Sequence, residues 1–164
     1  MTDHVDFVIE QWASAMPELD ASSMAVFGRM LRIMKQLTTA RAEALAPFNF
    51  RDGEFDVLAT LRRAGEPYCL SPTQLYQSLL ITSGAMTNRL NRLEAVGSIR
   101  RVADPDDKRS MRVALTEVGR EKIEQALQVH TETQRQLLSP LTSDQQQQLQ
   151  ALLSQLMQAT EAQR

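Results

Sequence analysis

Ser83, Gly84, Thr87, Asn88 and Asn91 recur at short, regular spacings within the stretch Ser83 to Gly97, SGAMTNRLNRLEAVG. At about 3.6 residues per turn, that spacing gathers them on one side of a helix. Their chemistry suits the edge of a nucleic-acid base. An asparagine amide can pair bidentately with adenine, and a threonine methyl can meet a thymine methyl. A glycine lets a helix N-terminus approach a phosphate closely. Any surface helix turns polar residues outward, but that does not explain why Glu94 is the only acid near this face. On the opposite side Met86, Leu90 and Leu93 form an apolar arc, extended by Ala85 and Val96. The two arginines separate on the helical wheel. Arg92 falls at the border of the exposed face, within easy reach of a phosphate. Arg89 falls inside the apolar arc, where an unpaired guanidinium would be costly. It needs a carboxylate, an external anion, or a path by which to snorkel into solvent.

A helix of this kind needs a frame, and the flanking sequence spells one. Ser71 is placed as an N-cap, with Pro72 at the first helical position and Gln74 able to reach back as a capping box. A short helix over Pro72–Leu79 and a tight turn then lead to Ser83, a helix-turn-helix pattern. After Gly97 the period changes to two. Residues 98–102 and 110–115 read as strands around the turn Ala103-Asp104-Pro105-Asp106-Asp107, with Met111, Val113 and Leu115 expected on one face. Together these elements make a winged-helix arrangement. Before it lie patterns for helices over residues 5–16 (ended by Pro17), 21–45 (closed by Pro47) and 52–63 (capped by Asp52). After it come helices over residues 117–138 and from the capping box Thr142-Ser143-Asp144-Gln145 to the end. The last carries Leu149, Leu152, Leu153, Leu156 and Met157 in a stripe. The fold class expected is mainly α with a small β-hairpin wing. Residues 1–46 would form N-terminal helices for dimerisation and for one wall of a ligand pocket. Residues 47–116 would form the winged helix-turn-helix, and residues 117–164 the C-terminal dimerisation helices. Packing within a single chain explains the apolar stripes nearly as well as a symmetric dimer does.

Bulk composition narrows the class. The 164 residues carry a formal net charge of −2, with 43% hydrophobic and 23% charged residues, ordinary for a soluble domain. Between Thr82 and Arg120, however, eight basic residues face five acids, so this stretch is +3 and the remainder −5. A basic segment in an acidic chain is the footprint of a DNA-reading element, although a solvated mixed-charge surface also fits. The single cysteine, Cys69, excludes an intrachain disulfide and fits a reducing compartment. No signal-peptide pattern or membrane-length apolar run occurs, so a cytoplasmic location is expected. His4 and His130 stand in no metal or nucleophile spacing, and no glycine-rich phosphate loop exists; neither an enzyme nor a bound metal is expected.

The segment Asp107-Lys108-Arg109-Ser110, followed by an alternating strand and Leu115-Thr116-Glu117-Val118-Gly119, resembles the wing signature of MarR-family transcription regulators. Leu93-Glu94-Ala95-Val96-Gly97 resembles the same family at the expected distance upstream. The resemblance implies a homodimer that binds a palindromic double-stranded operator, as a repressor. Arg109 would enter the minor groove with Asp107 holding it, and Lys108 would lie beside them. An arginine is favoured in a narrow, electronegative minor groove, and a carboxylate two residues away can orient its guanidinium. Gln11-Trp12, Pro17-Glu18-Leu19-Asp20, the run from Glu54 to Arg63, Ala64-Gly65-Glu66-Pro67-Tyr68 and Ser71-Pro72-Thr73-Gln74 further resemble the PecS-like, urate-responsive branch. That resemblance implies a small aromatic anionic effector such as urate, and no cofactor. Trp12 would stack on its ring and Arg89 pair with its charge. Asp56 would accept a hydrogen bond from it or hold Arg89 when the site is empty. Core packing for Trp12 and a surface carboxylate for Asp56 are the ordinary fates of such residues. Two other functions stay open: a regulator that senses oxidants through Cys69 or responds to phenolic, antibiotic-like compounds, and a helical interaction protein without sequence-specific DNA binding.

Overall fold

A computed structural model describes residues 2–51, 53–79, 83–105, 107 and 109–162; the side chains of residues 83–85 fall outside the description. The elements run α1 (His4–Ala15), α2 (Ser22–Leu45), a 3-10 turn (Ala46–Phe48), α3 (Glu54–Arg63), β1 (Cys69–Leu70), α4 (Pro72–Leu79), α5 (Ser83–Ala95), β2 (Ile99–Ala103), β3 (Met111–Leu115), α6 (Glu117–Leu138) and α7 (Ser143–Glu161). The chain is mainly helical with a small antiparallel sheet, a winged-helix architecture. No described helix is long and apolar enough to cross a membrane. The chain divides into two compact units, residues 1–43 with 134–164, and residues 44–133.

In the unit of residues 44–133, α3, α4 and α5 surround a core of Val57, Leu58, Leu61, Leu75, Met86, Leu90 and Leu93, closed by Ile99, Val113 and Ile123. α4 starts as its sequence spells it. The Gln74 backbone N–H donates to Ser71 Oγ at 3.2 Å, and the Ser71 N–H donates to Gln74 Oε1 at 2.8 Å. The start of α3 differs from expectation. Asp52, expected as its cap, lies outside the described residues, and the cap position belongs to Gly53 in the left-handed region at φ 73°.

The sheet has strand order β1-β3-β2. β2 and β3 pair from Ile99 with Leu115 out to Ala103 with Met111. β1 was not foreseen. It is only two residues long, and Cys69 and Leu70 become a strand by pairing with Ala114 and Val113. β3 is therefore central, and its inner end is buried on both faces: Val113, Ala114 and Leu115 are all buried, while Met111, expected beside Val113 and Leu115, is exposed at the outer end.

In the other unit, Asp3 caps α1 through a reciprocal box with Asp6, and the same two carboxylates hold Arg29 of α2 at 2.9 and 2.5 Å. Val5 is buried against Gly28, whose missing side chain leaves it room. α7 begins with the Thr142–Gln145 box. Many large apolar side chains of this unit stay exposed, among them Phe27, Leu31 and Met34 on α2 and Leu152 and Met157 on α7.

Candidate nucleic-acid interface

α5 is seated by Met86, Leu90 and Leu93, all buried, as its apolar arc requires. Thr87, Asn88 and Asn91 are exposed on the other side, with Ala95 extending that face. Ser83 and Gly84 open the helix, and their side chains lie outside the described residues. Val96, expected in the buried arc, is 65% exposed. The reason is that the helix stops one residue earlier, at Ala95. Gly97 at φ 72° then turns the chain, with its N–H donating to Glu94 O and the Ser98 N–H to Leu93 O, a Schellman closure that carries Val96 off the helical wheel.

Both arginines correct the wheel. Arg89 is half-buried rather than enclosed in the arc. Its guanidinium lies across Gly53, so close that a Cβ built on Gly53 would sit 2.3 Å from Arg89 Cζ. Arg92, expected to face phosphate, instead donates from Nε to Glu54 Oε1 at 3.0 Å. Glu54 is 6% exposed, and its second oxygen accepts the Arg51 N–H at 2.9 Å. Successive residues at the start of α3 thus receive arginines from successive turns of α5. Helical azimuth gave the side of α5 from which these arginines leave. It could not give the partner, which lies more than thirty residues upstream.

The wing is organised by Asp107. Ser110 Oγ donates to its Oδ2 at 2.6 Å and the Arg109 backbone N–H to its Oδ1 at 3.0 Å, while Ser110 N donates to the Asp107 carbonyl. The Ser110 hydroxyl and the Arg109 N–H hold this carboxyl below the usual aspartate range. Asp107 therefore fixes Arg109 through its backbone rather than through the guanidinium expected from the sequence. The Arg109 side chain remains exposed at the tip, and Lys108 lies outside the described residues. Behind the tip, Arg112 pairs with Asp104 at 3.3 Å.

The Leu-Thr-x-x-Gly motif has a local cause. Thr116 Oγ1 accepts the Gly119 N–H at 3.0 Å and donates to Gly97 O at 2.6 Å, while Thr116 N donates to Ser98 O at 3.1 Å. A Cβ on Gly119 would fall 1.9 Å from Ser98 O. The motif hangs α6 on the end of α5.

Sequence reasoning missed Arg101 and Glu54. Arg101 on β2 pairs with Glu94 and donates from Nη2 to Asn91 Oδ1 at 2.7 Å. Of the other predicted residues, Asp56 is half-buried on the wall of a cavity of about 960 Å³, with Phe55, Thr60, Arg62, Arg120 and His130. Arg89 does not line that cavity. Trp12 lies on α1 in the other unit, 37% exposed. Cys69 lies half-buried on β1.

A MarR family model matches residues 48–110. The transcriptional regulator PecS of Dickeya dadantii (strain 3937) is 36% identical over 149 residues, covering 91% of this chain and 90% of its own. The multiple antibiotic resistance protein MarR of Escherichia coli (strain K12) is 32% identical over 132 residues, covering 79% of this chain and 90% of its own. A mutant MarR from E. coli, solved in complex with operator DNA, superimposes with a TM-score of 0.69 at 28% identity, over 85% of this chain and 99% of that one. The wing turn, the α5 face and the Thr116–Gly119 hinge are thus set in a winged helix of known kind: the chain belongs to the MarR family of transcription regulators, a family of regulators and not of enzymes.

Proposed function

We propose that the chain represses transcription by binding a palindromic operator as a homodimer, with α5 in the major groove and Arg109 in the minor groove. The carrying observation is the pairing, within one compact unit, of an exposed uncharged face (Thr87, Asn88, Asn91) with an arginine-tipped hairpin whose turn Asp107 braces. Such a face suits base edges, and such a tip suits a narrow groove. That a related MarR was solved in complex with operator DNA supports operator binding by this chain. Exposed apolar residues on α2 and α7 supply the self-complementary surface that a two-fold dimer needs.

The finer reading is release by a small aromatic anion of the urate type. Arg89 supplies the cation, and a ligand that drew it off Gly53 would act on α5 itself. Asp56 is the acceptor that the resemblance assigns; the cavity it lines is not lined by Arg89. Trp12 is assigned by the resemblance to the urate-responsive branch and, as the sole tryptophan, reports on binding.

The test is a gel shift on duplexes selected from a randomised pool, at two salt concentrations, followed by titration with urate, xanthine and salicylate. Affinity should fall steeply with salt, and Arg109→Ala should weaken binding about 10- to 100-fold. Urate should quench Trp12 fluorescence and release DNA in wild type but not in Arg89→Ala. Absence of salt-dependent binding to any duplex refutes the regulator reading; equal release in wild type and Arg89→Ala refutes the effector reading.

A further inference from the structure

The corner between α5 and β2 gives Arg101 a task that phosphate contact does not describe. Both ends of its guanidinium are committed. Nη1 pairs with Glu94 Oε2, and Nη2 donates to Asn91 Oδ1 at 2.7 Å. The Arg101 backbone N–H also donates to Glu94 Oε1, at 3.3 Å. One residue of β2 therefore grips Asn91 and Glu94, which lie three positions apart on one side of α5.

Asn91 is exposed, on the same face as Thr87 and Asn88. An unheld asparagine there has free rotamers and two amide orientations, and ordering it on binding costs affinity and selectivity. A guanidinium has only donors, so the Asn91 group turned toward it must be the oxygen. Nδ2 then carries both its hydrogens away from Arg101. We infer that Arg101 is a positioning residue for sequence specificity: it fixes the Asn91 amide as a hydrogen-bond donor to a base edge, and Glu94 keeps Arg101 at that task. The inference rests on the DNA-binding reading above. It sharpens the chemistry of Asn91, since a donor meets guanine O6 or N7, thymine O4 or adenine N7. Cytosine, which offers an amino donor at that edge, is the disfavoured base.

The experiment uses the full chain and the best duplex selected by wild type from a randomised pool, together with every single-base-pair variant of it, at two salt concentrations. Three variants are compared: Asn91→Ala, Arg101→Lys, and the double variant Arg101→Ala with Glu94→Ala. The double variant leaves the net charge unchanged, so the electrostatics of DNA binding are preserved. Arg101→Lys keeps the charge but loses the planar fork. Wild type should discriminate about tenfold against cytosine at one position. All three variants should lose that preference, to about threefold or less, at that same position only, with the double variant keeping the wild-type salt slope. Thermal midpoints by circular dichroism confirm that each variant is folded, and Arg101→Lys, the mildest change, serves if the double variant is not. The inference is overturned if folded Arg101 variants keep the full preference while Asn91→Ala loses it, or if they weaken all duplexes equally with a salt slope shallower by about one, the mark of a phosphate contact. Wild type that selects a site but fails these comparisons overturns the role of Arg101 alone; wild type that binds no duplex overturns the DNA-binding reading with it.

Discussion

Replacing Gly119 with alanine should loosen the joint between α6 and the winged helix, and the structure sets the size of the effect. The new Cβ would lie 1.9 Å from Ser98 O and 2.7 Å from its carbonyl carbon. An ordinary carbon–oxygen contact is about 3.3 Å, so the helix must withdraw by ~1.4 Å or the strand must yield. Ser98 has little freedom to yield. Its N–H is bonded to Leu93 O at 2.9 Å and its carbonyl to Thr116 N at 3.1 Å, and the residue is 2% exposed. Withdrawal of α6 instead breaks the Thr116 cap on Gly119 and strains the Thr116–Ser98 bond. Overpacking costs about 1–3 kcal/mol, a lost cap about 1 kcal/mol and a lost backbone hydrogen bond about 1 kcal/mol. Alanine returns about 1 kcal/mol of helix propensity. The net expectation is a loss of about 2–4 kcal/mol.

Urea unfolding followed by circular dichroism measures this, at one fixed protein concentration so that any association is common to all samples. Gly97→Ala is the internal standard. Its φ is 72°, but a Cβ there meets nothing within 4 Å, so it carries only the left-handed backbone cost, roughly 1–2 kcal/mol. A Gly119→Ala variant less destabilised than Gly97→Ala would refute the steric account of the Leu-Thr-x-x-Gly motif.

Two further expectations concern charge. Arg92→Ala removes a side-chain partner of the buried Glu54 carboxylate and should cost about 1–3 kcal/mol in urea unfolding; a stability equal to wild type would mean that Arg92 faces solvent or DNA instead. In the other unit, the carboxyls of Asp3 and Asp6 sit below their ordinary value of 3.8. For Asp6 the Asp3 backbone N–H and then Arg29 lower it; for Asp3, burial raises it but is outweighed by the N–H groups of Asp6 and Val5 and by Arg29. A depressed folded value means stabilisation that is complete above about pH 3.8 and is lost as pH falls through the folded values. Acid titration of helical circular dichroism should show that limb in wild type and a flatter one in Asp6→Asn, and identical limbs would contradict the clamp on Arg29.

What the sequence revealed followed the range of the interactions. Caps are local, so Ser71–Gln74 and Thr142–Gln145 could be read directly, and both form with reciprocal bonds. The buried seam of α5 was legible because Met86, Leu90 and Leu93 repeat with the helix. Long-range pairing left no such mark. β1 exists only because β3 lies beside it. Arg92 finds Glu54 and Arg101 finds Asn91 through the fold, and no periodicity encodes those meetings. The wheel erred at Val96 for a different reason: it extended an ideal helix past the residue where Gly97 ends it.

More than its apolar seam holds α5 in place. Its inner seam is apolar and without direction, so by itself it would let the helix slide or roll on the core. Direction comes from the flanks. On one side Arg92 binds Glu54, tying α5 to the start of α3, and Arg89 lies over Gly53. On the other, Asn91 and Glu94 are tied to Arg101 on β2. Polar ties are geometrically strict where apolar contact is permissive, and an arginine's carboxylate partner can be exchanged for another anion without opening the core. Under the proposed function, a ligand that competes for an arginine on one flank would shift the helix, while Arg101 on the opposite flank keeps the Asn91 amide aligned.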